Sequence, residues 1–364
     1  MASDAILFTG FPGFLGSELL PRVLARSPGR RAVCLVQAKF AELAKRRARN
    51  IAARQPELEG RIELLEGDIT RPGLGTTATT ALADQVVEIE HLAAAYDLSV
   101  TRELGRLVNV EGTRQVLAFA ESCPHLEALH YVSTCYVSGR YPGRFRETDL
   151  ALGQTFNNHY EETKYRAEVL VQEAMHRGMP VAIYRPAVVV GDSATGATQK
   201  YDGPYYVIRW VMKQGRLAFL PTVGDPKAVR LNVVPRDFVV RAIAYLSGEP
   251  RSRGVVFQLA DPDPLTIDEV ISEVSRASGR RVVRIPLPLA LAKGAIDYVP
   301  FVERLLGIPS AAVDYFVHPT TYATDNTAAH LRGSGIELPR AKDYLPRMVE
   351  YVREHPDVPS AAMV

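Results

Sequence analysis

The sequence predicts an α/β fold, a doubly wound parallel sheet with a smaller C-terminal lobe, and three observations predict it. Short apolar, β-branched runs alternate with helically spaced stretches through the first half of the chain. A glycine-rich turn joins the first run to the first helical stretch. The alternation breaks after Pro186, where turn formers and aromatics take over.

The strand-like runs fall at 5–9, 32–36, 61–65, 86–92, 129–133, 181–184 and 255–259. Between them lie stretches with the apolar spacing of a helix face, such as Leu15, Leu19, Leu20, Val23 and Leu24, or Val108, Thr113, Val116, Leu117 and Ala120. Strand, helix, strand in this rhythm implies parallel neighbours, because each needs a crossover, and right-handed crossovers place helices on both faces. From 191 to 225 the chain reads as inserted structure facing a ligand, including Asp202-Gly203-Pro204-Tyr205-Tyr206. A strand-like 231–234 and a helical 237–246 return toward the sheet or its rim. Beyond Pro262 come helical stretches, a Pro-rich passage at 285–288 and an apolar stretch at 289–317. The larger domain is expected at 1–190 plus about 231–260, and the smaller lobe, capping the strand ends, at about 191–230 and 261–364.

The 364 residues, 47% of them apolar, suffice for a substantial core. Lys plus Arg total 43 against 41 for Asp plus Glu, so a formal net charge of +2 leaves no electrostatic footprint for nucleic acid. Cys34, Cys123 and Cys135 lack paired spacing, and no Cys/His set has the separations of a zinc site, so no metal is expected. No run approaches about 18 consecutive apolar residues, and no basic flank with a cleavage site opens the chain. A cytoplasmic protein without a transmembrane segment is the expectation. The stretch with Tyr298, Phe301, Leu305, Leu306 and Phe316 reads first as lobe packing, with a lipid channel or peripheral membrane contact as the other reading.

The strand ending at Thr9 runs into Gly10-Phe11-Pro12-Gly13-Phe14-Leu15-Gly16 and then a helix. Glycines at this spacing permit a tight turn, close approach of backbone to a pyrophosphate and close packing of helix on sheet, while the helix N-terminus offers free N–H groups to phosphate. A glycine triplet alone is often an ordinary turn; its place between first strand and first helix makes Thr9, Gly10, Gly13, Phe14, Leu15 and Gly16 candidates for a dinucleotide. At the end of the second strand, an acidic residue would bond a ribose 2′-hydroxyl and repel a 2′-phosphate. Here stand Gln37, Ala38 and Lys39, with Arg46 and Arg47 following, which favours NADP(H); the plain reading of Lys45, Arg46, Arg47 and Arg49 is a solvated helix face. Asp68 and Ile69 follow the third strand, where the carboxylate either reaches an adenine or closes a turn. Ala93, Ala94 and Ala95 after the fourth are small enough for a dinucleotide to lie against, or simply to pack. His91 reads as a satisfied sheet residue and Cys135 as a packed thiol.

Tyr160 and Lys164 stand four apart in a helically spaced stretch, so both side chains share one face. The ammonium is expected to lower the phenol's pKa and make Tyr160 a proton donor or acceptor. As a bare pattern Tyr-x-x-x-Lys is common on surfaces. Behind a nucleotide loop, and after Ser133-Thr134 at a strand end, it becomes a candidate catalytic pair. Pro186 either shapes the loop near a carboxamide or merely ends its strand.

These residues resemble the extended short-chain dehydrogenase/reductase family over nearly the first 260 positions, and within it the fatty acyl-CoA reductase and carboxylic acid reductase type of thioester reductase. Besides the loop and the Tyr160–Lys164 pair, the likeness is carried by Cys34 to Ala38, His91 to Tyr96, Asn109 to Thr113, Tyr131 to Thr134, Tyr184 to Asp192 and Asp202 to Tyr206. Gln37 stands where that subgroup often carries Arg. The resemblance implies a Rossmann domain with a substrate-binding lobe, NADPH as cofactor, Thr134, Tyr160 and Lys164 as catalytic residues, and Ser133 and Pro186 at the nicotinamide. It implies reduction of an acyl-CoA or carrier-bound acyl thioester to an aldehyde, or onward to an alcohol. The same scaffold admits a dehydrogenase or epimerase of sugar nucleotides or hydroxysteroids, and a non-catalytic NADP(H)-sensing module.

Overall fold

The computed structural model describes residues 4–288, 291 and 313–359. Its strands in chain order are β1 (Ala5–Thr9), β2 (Arg31–Val36), β3 (Ile62–Glu66), β4 (Val86–His91), β5 (Ala128–Val132), β6 (Gly143–Phe145), β7 (Val181–Pro186), β8 (Val188–Val190), β9 (Leu217–Val223), β10 (Val233–Pro235), β11 (Val256–Leu259), β12 (Arg281–Leu287) and β13 (Thr320–Tyr322). Seven of them form one parallel sheet in the order β11-β7-β5-β4-β1-β2-β3. The order reverses between β1 and β4, which opens a crevice at the carboxyl ends of those strands, where ligands of doubly wound sheets bind.

Alternation along β1 shows how the two faces are filled. Ile6 and Phe8 join Leu19, Leu20 and Val23 of the helix Gly16–Arg26 and Phe238 and Ile243 of the helix Arg236–Gly248. Ala5 and Leu7 point the other way, to Val116 and Phe119 of the helix Gly112–Glu121 and to Ala167 and Val171 of the helix His159–His176. β4, β5 and β7 are buried along their whole length, as central parallel strands covered on both faces must be. A third core lies beyond the strand ends, with Tyr205, Val211, Leu220, Ile271, Tyr344 and Met348 packed between the helices Pro204–Met212, Ile267–Ser278 and Ala341–Glu354.

Three expectations are corrected. The Pro-rich passage at 285–288 is mostly strand: β12 pairs in parallel with β9, and Pro286 is tolerated because this is a two-stranded ribbon whose strands each keep an open edge. The strand near 231–234 is β10, and it pairs with β8 instead of joining the main sheet. Residues 320–331, placed by sequence in the second lobe, pack against the core beneath the main sheet. β13 pairs with β6, and Tyr322 and Leu331 enter the same core as Phe8, since the β6 segment offers an open edge there. Of the apolar stretch at 289–317, Tyr298, Phe301, Leu305 and Leu306 lie outside the described residues; Phe316 lines the cavity described below.

A buried ion pair ties four of these elements together. Arg185 of β7 donates from Nη2 to Glu168 Oε1 at 2.6 Å, and neither side chain is exposed. Glu168 Oε2 accepts from Ser133 Oγ just past β5, and Arg185 Nη2 also donates to the Asp149 carbonyl at 2.8 Å. A second network, of Glu88, Glu90 and His130, brings ligand-type atoms within 4.8 Å of one another, and the guanidinium groups of Arg26 and Arg30 supply its positive charge. Breaking a buried pair strands a charge, so Arg185→Met is expected to lower the unfolding free energy by about 3–5 kcal/mol, measured by urea denaturation.

Candidate active site

At the mouth of the crevice the chain turns so tightly that side chains do not fit. Gly10 has φ +90°, and a Cβ there would meet the Ala93 nitrogen and the Leu92 carbonyl carbon at 2.8 Å. At Gly13 and at Gly16 a Cβ would lie 2.6 Å from the Gly10 carbonyl oxygen, the same oxygen that accepts from the Gly13 N–H at 2.8 Å. The loop is thus folded on itself and flush against the end of β4, and the helix Gly16–Arg26 starts from it. This is a cradle that only backbone can line, and it fits a dinucleotide pyrophosphate.

The loop borders a cavity of about 820 Å³. All the candidates named from sequence line it: Thr9, Gly10, Gly13, Phe14, Leu15, Gly16, Gln37, Lys39, Arg47, Asp68, Ile69, Ala93, Ala94, Ala95, Ser133, Thr134, Tyr160, Lys164 and Pro186. Gln37 hydrogen-bonds Asp68, whose Oδ1 also accepts from the Thr70 N–H at 2.9 Å; these bonds hold the carboxyl below its usual range even though burial opposes them. Lys39 Nζ lies 5.0 Å from the Phe40 ring centroid. Arg47 borders the cavity, but its guanidinium is engaged by the Pro12 carbonyl, by Ser17 Oγ at 2.9 Å and by Gln199 Oε1 at 2.9 Å. It therefore ties the glycine loop to the segment after β8 and is not simply a solvated helix residue.

The alanines after β4 are held by Asn109, which sequence reading did not single out as a site residue. Its Oδ1 accepts from the Ala95 N–H at 2.8 Å, and its Nδ2 donates to the Ala95 carbonyl at 3.1 Å and to Thr163 Oγ1 at 3.0 Å. Asn109 lies in a π-helical turn, Arg106–Glu111, which carries Leu107 and Val108 to the cavity. π-turns recur at functional sites, and nothing in the residue pattern marks this one.

Thr134 follows β5 in extended conformation, and its Oγ1 accepts from the Tyr136 N–H at 3.2 Å. Asn158 caps the helix His159–His176, its Oδ1 accepting from the Glu161 N–H at 3.0 Å, and so sets the turn on which Tyr160 sits. Tyr160 and Lys164 do share a face, but the expected electrostatics are not found. Enclosure in the pocket pushes the Tyr160 phenol up to about 12, opposed by its hydrogen bond with Thr134. Burial likewise pushes Lys164 down to about 7, and its ammonium is held by Tyr131 OH at 3.0 Å and the Val132 carbonyl at 2.9 Å. Desolvation outweighs the attraction that sequence spacing suggested. Cys135 is fully buried, its thiol donates to the Arg185 carbonyl at 3.0 Å, and burial raises it far above the thiolate range, so it is a packed thiol.

The far wall is apolar: Val207, Leu231, Ile267, Val270, Ile271 and Phe316 face the same cavity. Tyr315 joins this wall to the helix His159–His176, donating to Glu161 Oε1 at 2.8 Å and packing its ring, tilted, against Tyr136 at a centroid distance of 4.5 Å. Tyr315 and Glu161 are 154 positions apart, so no local pattern signals the contact.

A doubly wound parallel sheet, a glycine cradle at its switch point and a Thr-Tyr-Lys set beside it define an NAD-binding oxidoreductase of the extended short-chain dehydrogenase/reductase type. A family model described as male sterility protein, an NAD-binding type, matches residues 8–243, and the chain belongs to that family. The glycine betaine reductase of Emericella nidulans is 31% identical over 289 residues, covering 75% of this chain and 22% of that protein. A linear gramicidin synthase from Brevibacillus parabrevis is 31% identical over 282 residues, covering 74% of this chain and 5% of that protein. The chain therefore spans a minor part of these relatives. Among solved structures, the terminal R domain from the myxalamid PKS-NRPS biosynthetic pathway superposes with a TM-score of 0.82 at 28% identity, covering 99% of this chain and 93% of that one. No helix among the described residues is long and apolar enough to cross a membrane.

Because an added methyl at residue 10 would strike the β4 backbone, Gly10→Ala is expected to weaken NADPH binding at least tenfold in a fluorescence titration. Gly29→Ala, where nothing lies within 4 Å of the new carbon, should leave it unchanged.

Proposed function

We propose that this chain is an NADPH-dependent reductase of acyl thioesters, releasing an aldehyde from an acyl group carried on coenzyme A or on a carrier protein. One observation carries the reading: Thr134, Tyr160 and Lys164 meet a dinucleotide cradle and an apolar wall in a single cavity. When bound, NADPH supplies hydride to the thioester carbonyl carbon. The carbonyl oxygen then gathers negative charge, and Thr134 and Tyr160 stand as hydroxyl donors for it. A phenol held near 12 stays protonated at neutral pH, which suits a donor to an oxyanion better than a base. Lys164 lies below, where it would bond the nicotinamide ribose; Ser133 and Pro186 would border the ring. Collapse of the tetrahedral adduct re-forms the carbonyl as the aldehyde and breaks the carbon–sulfur bond, and the departing thiolate takes a proton from solvent.

The wall of Leu231, Ile267, Val270 and Ile271 suits an acyl chain and offers no partner for the diphosphate of a sugar nucleotide. A cofactor sensor would have no use for the hydroxyl pair. The names of the relatives, a linear gramicidin synthase and an R domain of a PKS-NRPS pathway among them, support a carrier-bound acyl group as the substrate. We assign cofactor binding to the main sheet and the residues 320–331 packed against its core, and acyl binding to the third core.

The deciding assay follows NADPH, then NADH, oxidation against acyl-CoA and carrier-bound thioesters, with aldehyde and alcohol quantified. Thioester-dependent oxidation is expected; tight cofactor binding with no turnover on either carrier would overturn the reading. Tyr160→Phe should lower turnover by at least about a hundredfold while sparing NADPH binding, in line with loss of an oxyanion donor. Gln37→Asp should weaken NADPH, and not NADH, about tenfold, because a carboxylate at the end of β2 repels a 2′-phosphate.

A further inference from the structure

β1, β4 and β5 end level with one another. Thr9 pairs in register with His91, and His91 with Tyr131, so the three side chains stand in a row on one face of the sheet. Thr113, from the helix Gly112–Glu121, comes down onto this row, and Lys164 reaches it from the helix His159–His176. All five residues are at most 2% exposed.

They are joined end to end. Lys164 Nζ donates to Tyr131 OH at 3.0 Å; Tyr131 hydrogen-bonds Thr113; Thr113 Oγ1 and His91 Nε2 are 3.0 Å apart; His91 Nδ1 and Thr9 Oγ1 are 2.8 Å apart. Thr9 Oγ1 also accepts from the Ala93 N–H at 3.2 Å, in the segment against which Gly10 packs. An ammonium only donates, so Tyr131 OH accepts from Lys164, and its bond with Thr113 favours the ionised phenol, as a bond accepted from the Thr113 hydroxyl does; neutral His91 donates from one ring nitrogen and accepts at the other, between Thr113 and Thr9. Burial, with the Lys164 charge adding to it, depresses His91 to about 3, which keeps the ring neutral and able to donate at one nitrogen while accepting at the other.

Building on the reading of Lys164 as a member of the catalytic set, we propose that Tyr131, Thr113 and His91 are positioning residues. They form a buried hydrogen-bond chain that holds the Lys164 ammonium at one end and the root of the glycine loop at the other. The chain makes the charge of Lys164 and the set of the cofactor loop depend on each other. The other groups near Lys164 are committed elsewhere: Glu168, one helical turn on, stabilises its charge but is bound to Arg185 and Ser133, and Tyr160 is bonded to Thr134.

The test compares the parent with Tyr131→Phe, Thr113→Val and Thr113→Ser in two pH series, thioester-dependent NADPH oxidation and NADPH affinity by fluorescence, with melting curves to confirm folding. Loss of an acceptor makes the ammonium harder to keep, so the pH above which turnover and affinity decline is expected to fall by about one unit in Tyr131→Phe, and Thr113→Val, which removes the hydroxyl between Tyr131 and His91, is expected to move the same midpoint. Thr113→Ser, which keeps the hydroxyl, should restore the parent midpoint. Unchanged midpoints in both disrupting variants overturn the proposal, even if turnover drops, because a purely packing role lowers rate without moving a titration. Should Tyr131→Phe fail to fold, the Thr113 pair decides alone. If the parent reduces no thioester, the reductase reading fails, and the affinity series still judges the chain.

Discussion

Two opposite charges, Arg185 and Glu168, sit where no water reaches them, and the geometry of the Thr134, Tyr160 and Lys164 set follows from how they are satisfied. A desolvated pair is stable only when its remaining donors and acceptors find partners. Glu168 finds Ser133, the residue before Thr134, and Gln172; Arg185 finds the carbonyl of Asp149. One ion pair thereby fixes the end of β5, the axis of the helix that carries Tyr160 and Lys164, the strand that ends at Pro186 and the loop that leads into that helix. Glu147 extends the same scaffold, accepting from backbone N–H groups of Gln258, Asn326 and Thr327, which draws the segment after β13 onto the sheet. Such a pair adds little net stability over apolar packing, but it penalises every arrangement that leaves one member alone.

Given that frame, burial decides the protonation states. Tyr160 and Lys164 are both pushed toward their neutral forms, the phenol to about 12 and the amine to about 7. The common picture of a lysine that acidifies its tyrosine needs the two charges to see each other more strongly than each sees the loss of water. Here the lysine spends its hydrogen bonds on Tyr131 and a main-chain carbonyl. The tyrosine keeps its proton and shares a hydrogen bond with Thr134. An amine poised near neutrality is sensitive to every acceptor around it, which is why the row of residues behind it matters.

The legible parts of the molecule were those fixed by backbone sterics or by helix periodicity. Gly10, Gly13 and Gly16 could be read because no other residue fits their contacts, and Tyr160 with Lys164 because a separation of four means one helix face. The parallel, doubly wound class of the sheet followed from the alternation of apolar runs with helical stretches. Tyr131 and His91 were opaque as site residues: in strands buried on both faces every position is apolar or satisfied, so no alternation shows which face a residue serves. Arg47 could be read as a cofactor-side residue or as part of a solvated helix face, but not as the brace of the glycine loop, because its partners, Pro12, Ser17 and Gln199, are distant in sequence. The packing of residues 320–331 against the core beneath the sheet depends on the free edge of β6, a three-residue strand too short to announce itself.

The segment after β8 shows why cofactor and acyl sites cannot be treated separately. Gln199 receives Arg47 from the cofactor side, while Lys200 pairs with Asp202 at 2.7 Å and lies 4.9 Å from the ring centroid of Tyr96, just past the alanines. Immediately beyond, Pro204 begins the helix whose Tyr206 and Val207 face the cavity. The single run 199–207 therefore touches the glycine loop's partner Arg47, the post-β4 segment and the apolar wall in turn. Under the proposed reading, displacing any of these contacts would admit water near the thioester carbonyl, where donors aimed at a developing oxyanion act most strongly when water is excluded. The two ends of the run answer to different demands: Gln199 is held by the arginine that braces the cofactor loop, and Val207 lies in the helix that shapes the acyl side.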